Sequence, residues 1–96
     1  MFEIQGTIVA VLAPETGLGQ KGPWGKQTII VQYNSGEFVK KIALENRKKY
    51  EEFGKLRVGQ TGTFKCDVDC REFNGKYYTN ITCFHWDISQ GEKPAF

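Results

Sequence analysis

The chain has 96 residues, 40% of them apolar and 14% aromatic, which supplies one hydrophobic core and excludes a second globular domain or a deep interdomain catalytic cleft. Thirteen Lys and Arg against eleven Asp and Glu leave a net charge of +2, so the placement of the cations matters more than their sum. No segment approaches the ~18 apolar residues of a membrane span, and three cysteines, an odd number, argue against a disulfide framework and fit a reducing cytoplasm.

Residues 2–12 place Phe2, Ile4, Ile8, Ala10 and Leu12 on one parity against Glu3, Gln5 and Thr7, the pattern of a half-buried strand. Without a basic leader this segment reads as the first strand and not as a signal peptide. Gly6 stands where a coiled barrel strand bends. Residues 14–25 hold four glycines, two prolines and Trp24, lack usable periodicity and read as a loop with Lys21 inside it and Lys26 just beyond. Residues 27–33 and 37–44 are rich in strand formers and flank Asn34-Ser35-Gly36, which carries turn chemistry; together they predict a hairpin. Residues 45–55 predict a helix of about three turns, with Tyr50 and Phe53 as its apolar contacts and Gly54 as its stop.

Residues 61–73 alternate Phe64, Cys66, Val68 and Cys70 against Lys65, Asp67, Asp69 and Arg71, the clearest strand in the chain. Asn74-Gly75 follows, the pair favoured by a two-residue type I′ turn because both positions need positive φ. Centring the turn there pairs Phe73 with Lys76, Arg71 with Tyr78, Asp69 with Asn80 and Cys66 with Cys83. Cys66, Val68, Ile81 and Cys83 then share the inner face, and Arg71, Phe73, Lys76 and Tyr78 the outer one. The last strand runs over residues 77–88, and residues 89–96 read as a flexible polar tail.

Three strands, a short helix and two more strands predict an all-β domain over residues 1–88, a five-stranded Greek-key OB barrel, with an SH3-like barrel as the alternative. Ligands of OB barrels lie on the second and third strands and the loops beside them. Aromatic rings stack on any base while Lys and Arg neutralise phosphates. Three groups supply both kinds of side chain: Lys21, Trp24 and Lys26; Tyr33, Phe38 and Lys40; and Arg71, Phe73, Lys76 and Tyr78, with Tyr77 beside them. The barrel is expected to bring these groups together. Tyr33 and Phe38 read equally well as core, Trp24 reads as exposed for binding with a plug of the barrel as the alternative, and only one of Lys40 and Lys41 can face the ligand.

Metal and catalytic chemistry find little support. Cys66 and Cys70 lie about 13 Å apart on an extended strand, unlike the tight turns of zinc knuckles, and with Cys83 and His85 they are expected to bind no metal. Gly17, Gly19 and Gly22 precede no helix that would complete a phosphate loop. No cofactor is expected, and no enzymatic activity.

The strings Gly19-Gln20-Lys21-Gly22-Pro23-Trp24-Gly25-Lys26-Gln27, Leu56-Arg57-Val58-Gly59-Gln60 and Arg71-Glu72-Phe73-Asn74-Gly75-Lys76-Tyr77-Tyr78-Thr79 resemble a family of short, uncharacterised OB-fold proteins of bacteria and their phages. The resemblance covers all but the last eight residues. It implies the OB fold and, through likeness to single-strand-binding and primosomal proteins, largely sequence-independent binding of single-stranded DNA in replication, recombination or repair. The implied setting is the cytoplasm of a bacterial or phage-infected cell. A protein-interaction module and a single-stranded RNA binder are the alternative functions, and a homo-oligomer is the expected assembly. The chain ends with Pro94 and Phe96, which resembles the acidic Pro-Phe tail of bacterial single-strand-binding proteins without its acidity. This tail is either a docking peptide for replication or repair proteins or an arbitrary end.

Overall fold

A computed structural model describes residues 1–90; the expected tail, with Pro94 and Phe96, lies largely outside them. The elements are β1 (Phe2–Val11), β2 (Glu15–Gly19), β3 (Gly22–Ser35), β4 (Phe38–Asn46), α1 (Tyr50–Phe53), β5 (Thr61–Phe73) and β6 (Lys76–Gln90). β1 pairs antiparallel with both β3 and β5, β3 with β4, and β5 with β6, while a parallel step at Glu45 and Thr82 joins β4 to β6. This circuit closes five strands into an OB barrel. The two pairings of β1 and the parallel closure set it apart from the SH3-like alternative.

The core follows from strand alternation. Ile29 and Val31 of β3, Leu44 of β4 and Phe64 of β5 are fully buried together with Ile8. Gly6 lets β1 cross close to β3, because a Cβ there would collide with the Gln32 carbonyl. Phe53 and Leu56 close the barrel end, the Phe53 ring lying 5.0 Å from that of Trp86. Among the described residues no helix is long and apolar enough to cross a membrane.

Four expectations are corrected. Residues 14–25 form a hairpin in place of a loop: β2 pairs with the start of β3, outside the barrel circuit. Its glycines hid the alternation. The turn between β3 and β4 is centred on Gly36 (φ 62°) and Glu37, because Ser35 and Phe38 still pair. The helix shrinks to Tyr50–Phe53 because β4 continues to Asn46. The buried Asn46 side chain donates from Nδ2 to the Cys83 carbonyl at 2.7 Å and accepts the Lys49 N–H on Oδ1 at 2.7 Å. Those bonds tie Asn46 to the barrel and outweigh the helix propensity of its neighbours.

Val68 is the fourth correction. The Asn74-Gly75 turn (φ 52° and 79°) sets the expected register, Phe73 opposite Lys76 and Cys66 opposite Cys83. Burial nevertheless stops at Cys66, and every residue of positions 67–79 is exposed. The outer half of the β5–β6 hairpin is therefore an arm that leaves the barrel, and it takes Val68 out of the core. β6 continues past Ile88 to Gln90, where Ser89 Oγ donates to the Thr61 carbonyl at 3.2 Å.

Candidate nucleic-acid interface

Trp24 lies opposite Gly17 in the β2–β3 hairpin. A Cβ on Gly17 would fall 2.9 Å from the indole, and one on Gly19 3.4 Å from it. The ring thus rests on two residues without side chains, a cross-strand arrangement that shields strand glycines with an aromatic ring. It keeps 42% of its surface exposed, as the binding reading of Trp24 expects, and the plug alternative falls. The next residue, Gly25, is buried, and a Cβ there would overlap the Tyr50 ring. Tyr50 thereby locks the hairpin to α1. Between them opens a cleft of about 400 Å³ bordered by Pro23, Trp24, Arg47, Lys48 and Tyr50.

A second cleft, of about 530 Å³, lies on the other side of the β4–α1 connection. Arg47, Lys48 and Lys49 border it on one side, and Asp67, Asp69, Thr82 and Phe84 of the β5–β6 hairpin on the other. Phe84 is 45% exposed. Arg47, Lys48 and Lys49 were missed by sequence reasoning, which placed them in the helix expected over residues 45–55. The signal was three consecutive cations after Asn46, where the chain leaves the sheet.

Tyr33, Phe38 and Lys40 are elsewhere. Tyr33 lies nine positions along β3 from Trp24, about 30 Å at the usual rise, so the barrel does not unite the three groups. Tyr33 pairs with Lys40 and is half-buried beside Gln5; Phe38 opposite Ser35 is 69% exposed, which removes its core reading. These side chains continue the inward parity of Val31 and Ile42 beyond the end of the core. The outer parity of the same sheet carries Trp24, Lys26 and Lys41, so Lys41 shares the Trp24 face and Lys40 does not.

Arg71, Phe73, Lys76 and Tyr78 share one face of the arm, as their register required, and Tyr77 lies on the other face opposite Glu72. All are exposed. The cations differ in availability. Lys26 Nζ lies 3.4 Å from Glu15 and 3.6 Å from Glu45 with its side chain 21% exposed, and Arg71 lies 3.2 Å from Asp69. Their charge is already compensated. Lys21, Lys40, Lys48, Lys49 and Lys76 carry no ion pair among the described residues, and Arg47 approaches Glu45 only to 3.9 Å.

Cys66 and Cys83 face each other in the core, fully buried. The neighbouring Cys66 thiol, and then burial, push the Cys83 thiol far above its ordinary range. It stays protonated and packs as a small apolar residue. Cys70 is exposed on the arm, and among the described residues no three His, Cys, Asp or Glu side chains are arranged to hold a metal ion.

The fold is similar to solved structures. The SSB domain of a protein from Synechococcus sp. superposes with a TM-score of 0.62 at 15% identity, covering 88% of this chain and 90% of that one. A small single-stranded DNA-binding protein from Streptomyces coelicolor superposes with a TM-score of 0.58 at 11% identity, covering 98% and 95%. No curated protein matches the chain. Residues 3–88 match the family described as Domain of unknown function (DUF3127), and the chain belongs to that family.

Proposed function

We propose that the protein binds single-stranded DNA with little regard to sequence and acts in replication, recombination or repair. The observation that carries this reading is the seating of Trp24, one face of its ring against Gly17 and the rest open beside Arg47 and Lys48. An indole accepts any base and the cations accept phosphate, so the pair selects unpaired strands without reading their sequence. Stacking and charge neutralisation are binding chemistry, and the reading is of a binder and not an enzyme. Two proteins with this fold, described as an SSB domain and as a small single-stranded DNA-binding protein, support it at the level of architecture. Self-association belongs to the same reading, and sedimentation velocity measures it.

The test is competition for a fluorescein-labelled oligo-dT, followed by anisotropy, with unlabelled DNA, RNA and duplex of equal length. Displacement by DNA strands ahead of RNA and far ahead of duplex is the expected order. Displacement by RNA ahead of DNA would make RNA the ligand, and no binding of the label at low salt would leave the barrel as a protein-interaction module.

A further inference from the structure

The two clefts at the Trp24 end share one wall. Arg47 and Lys48 border both of them, with Trp24 across the first and Phe84 across the second. That wall is held in place by the barrel, since Asn46 is bonded to the Cys83 carbonyl on one side and to the Lys49 N–H on the other. Lys48 and Lys49 have no carboxylate partner among the described residues, and the nearest to Arg47 is Glu45 at 3.9 Å. The far side of the second cleft carries Asp67 and Asp69, each already paired with a cation, and no Lys or Arg among the described residues lines it, so that side offers phosphate no partner and is left to a base.

We propose that residues 47–49 form a phosphate-binding ridge that a single strand crosses, with one base against Trp24 and a neighbouring base against Phe84. This rests on the single-strand-binding reading and adds its path. Phosphates lie on Arg47 and Lys48, where cations crowd and the nearest carboxylate, Glu45, is shared with Lys26. The rings on either side hold bases that point away from the ridge. Tyr33, Phe38 and Lys40 lie at the other end of β3 and take no part in this path.

The experiment compares wild type with Arg47→Ala/Lys48→Ala and with Lys40→Ala, all exposed positions, after circular dichroism has confirmed folding. Binding to oligo-dT is titrated over a range of salt. Each phosphate contact on a single strand adds about 0.7 to the slope of log K against log salt. Loss of two contacts therefore makes the slope shallower by about 1.4 in Arg47→Ala/Lys48→Ala, and the slope of Lys40→Ala stays at the wild-type value. Phe84→Ala weakens binding and keeps the slope, since it removes a stacking surface and no charge. An unchanged slope in Arg47→Ala/Lys48→Ala, with wild type binding normally, overturns the ridge and leaves the single-strand reading intact. An unchanged affinity in Phe84→Ala removes the second base from the path. Absence of binding by wild type overturns both the ridge and the reading beneath it.

Discussion

At one end of β3 the indole of Trp24 rests on Gly17 and Gly19 and faces Arg47 and Lys48 across a cleft. At the other end, about 36 Å along the strand, Phe38 stands 69% exposed beside a hairpin turn. Both ends present an aromatic ring and lysines, and composition alone does not separate them. They differ in how much ordering is left for a ligand to impose. A ring already seated against the backbone loses little freedom when a base stacks on it, whereas a ring open on most sides must be fixed at the moment of binding. The nearby cations differ too, because Lys48 and Lys49 sit on a connection fastened by Asn46, while Lys40 extends from a hairpin beyond the core.

The largest expected effect sharpens this contrast. Trp24→Ala should cost about 1 to 3 kcal/mol of affinity for a single strand, and Phe38→Ala should leave affinity within a factor of about two, corresponding to roughly 0.4 kcal/mol; equal losses in anisotropy titrations would erase the distinction between the ends. Asn46→Ala comes next. It strips the hydrogen bond from the Cys83 carbonyl and releases residues 47–49, so urea unfolding should record a loss of roughly 1 to 2 kcal/mol with weaker binding by the folded fraction. Stability at the wild-type value would mean that the connection is held by something else.

Smaller changes probe the seat of the indole and the compensated charge. Gly17→Ala puts a methyl group 2.9 Å from the indole, and the resulting tilt should cost about 1 kcal/mol of stability and shift tryptophan emission toward the red. Lys26→Ala should change affinity least, by less than about 0.5 kcal/mol, because Glu15 and Glu45 already occupy its charge. A loss there as large as that of a ridge cation would place Lys26 on the ligand.

The same contrast explains what could be read from the sequence. The Asn74-Gly75 turn imposed the β5–β6 register through a backbone requirement that few other pairs meet, and the observed φ values of 52° and 79° satisfy it. Strand alternation identified the barrel and its order. Alternation reports a strand and not its burial, however, and Val68 kept the inward parity of Cys66 past the point where the core ends. Glycine hid β2, since Gly17 and Gly19 have no side chains to alternate and are covered by a ring on the neighbouring strand. Local propensity failed at residues 45–49 because the decisive contact, Asn46 to Cys83, spans 37 positions. The candidate site was legible where it depended on a residue type in an exposed hairpin, as for Trp24. It was not legible where it depended on that long-range bond, as for Arg47, Lys48 and Lys49.

Tryptophan fluorescence addresses the central claim most directly, because the two indoles occupy different surroundings: Trp24 is open at the hairpin and Trp86 packs 5.0 Å from Phe53. Titration with oligo-dT should quench wild-type emission, more weakly at higher salt, and should leave the emission of Trp24→Phe nearly constant, since Trp86 alone remains. Equal quenching in the two proteins, or none in wild type at low salt, would contradict a strand bound at Trp24.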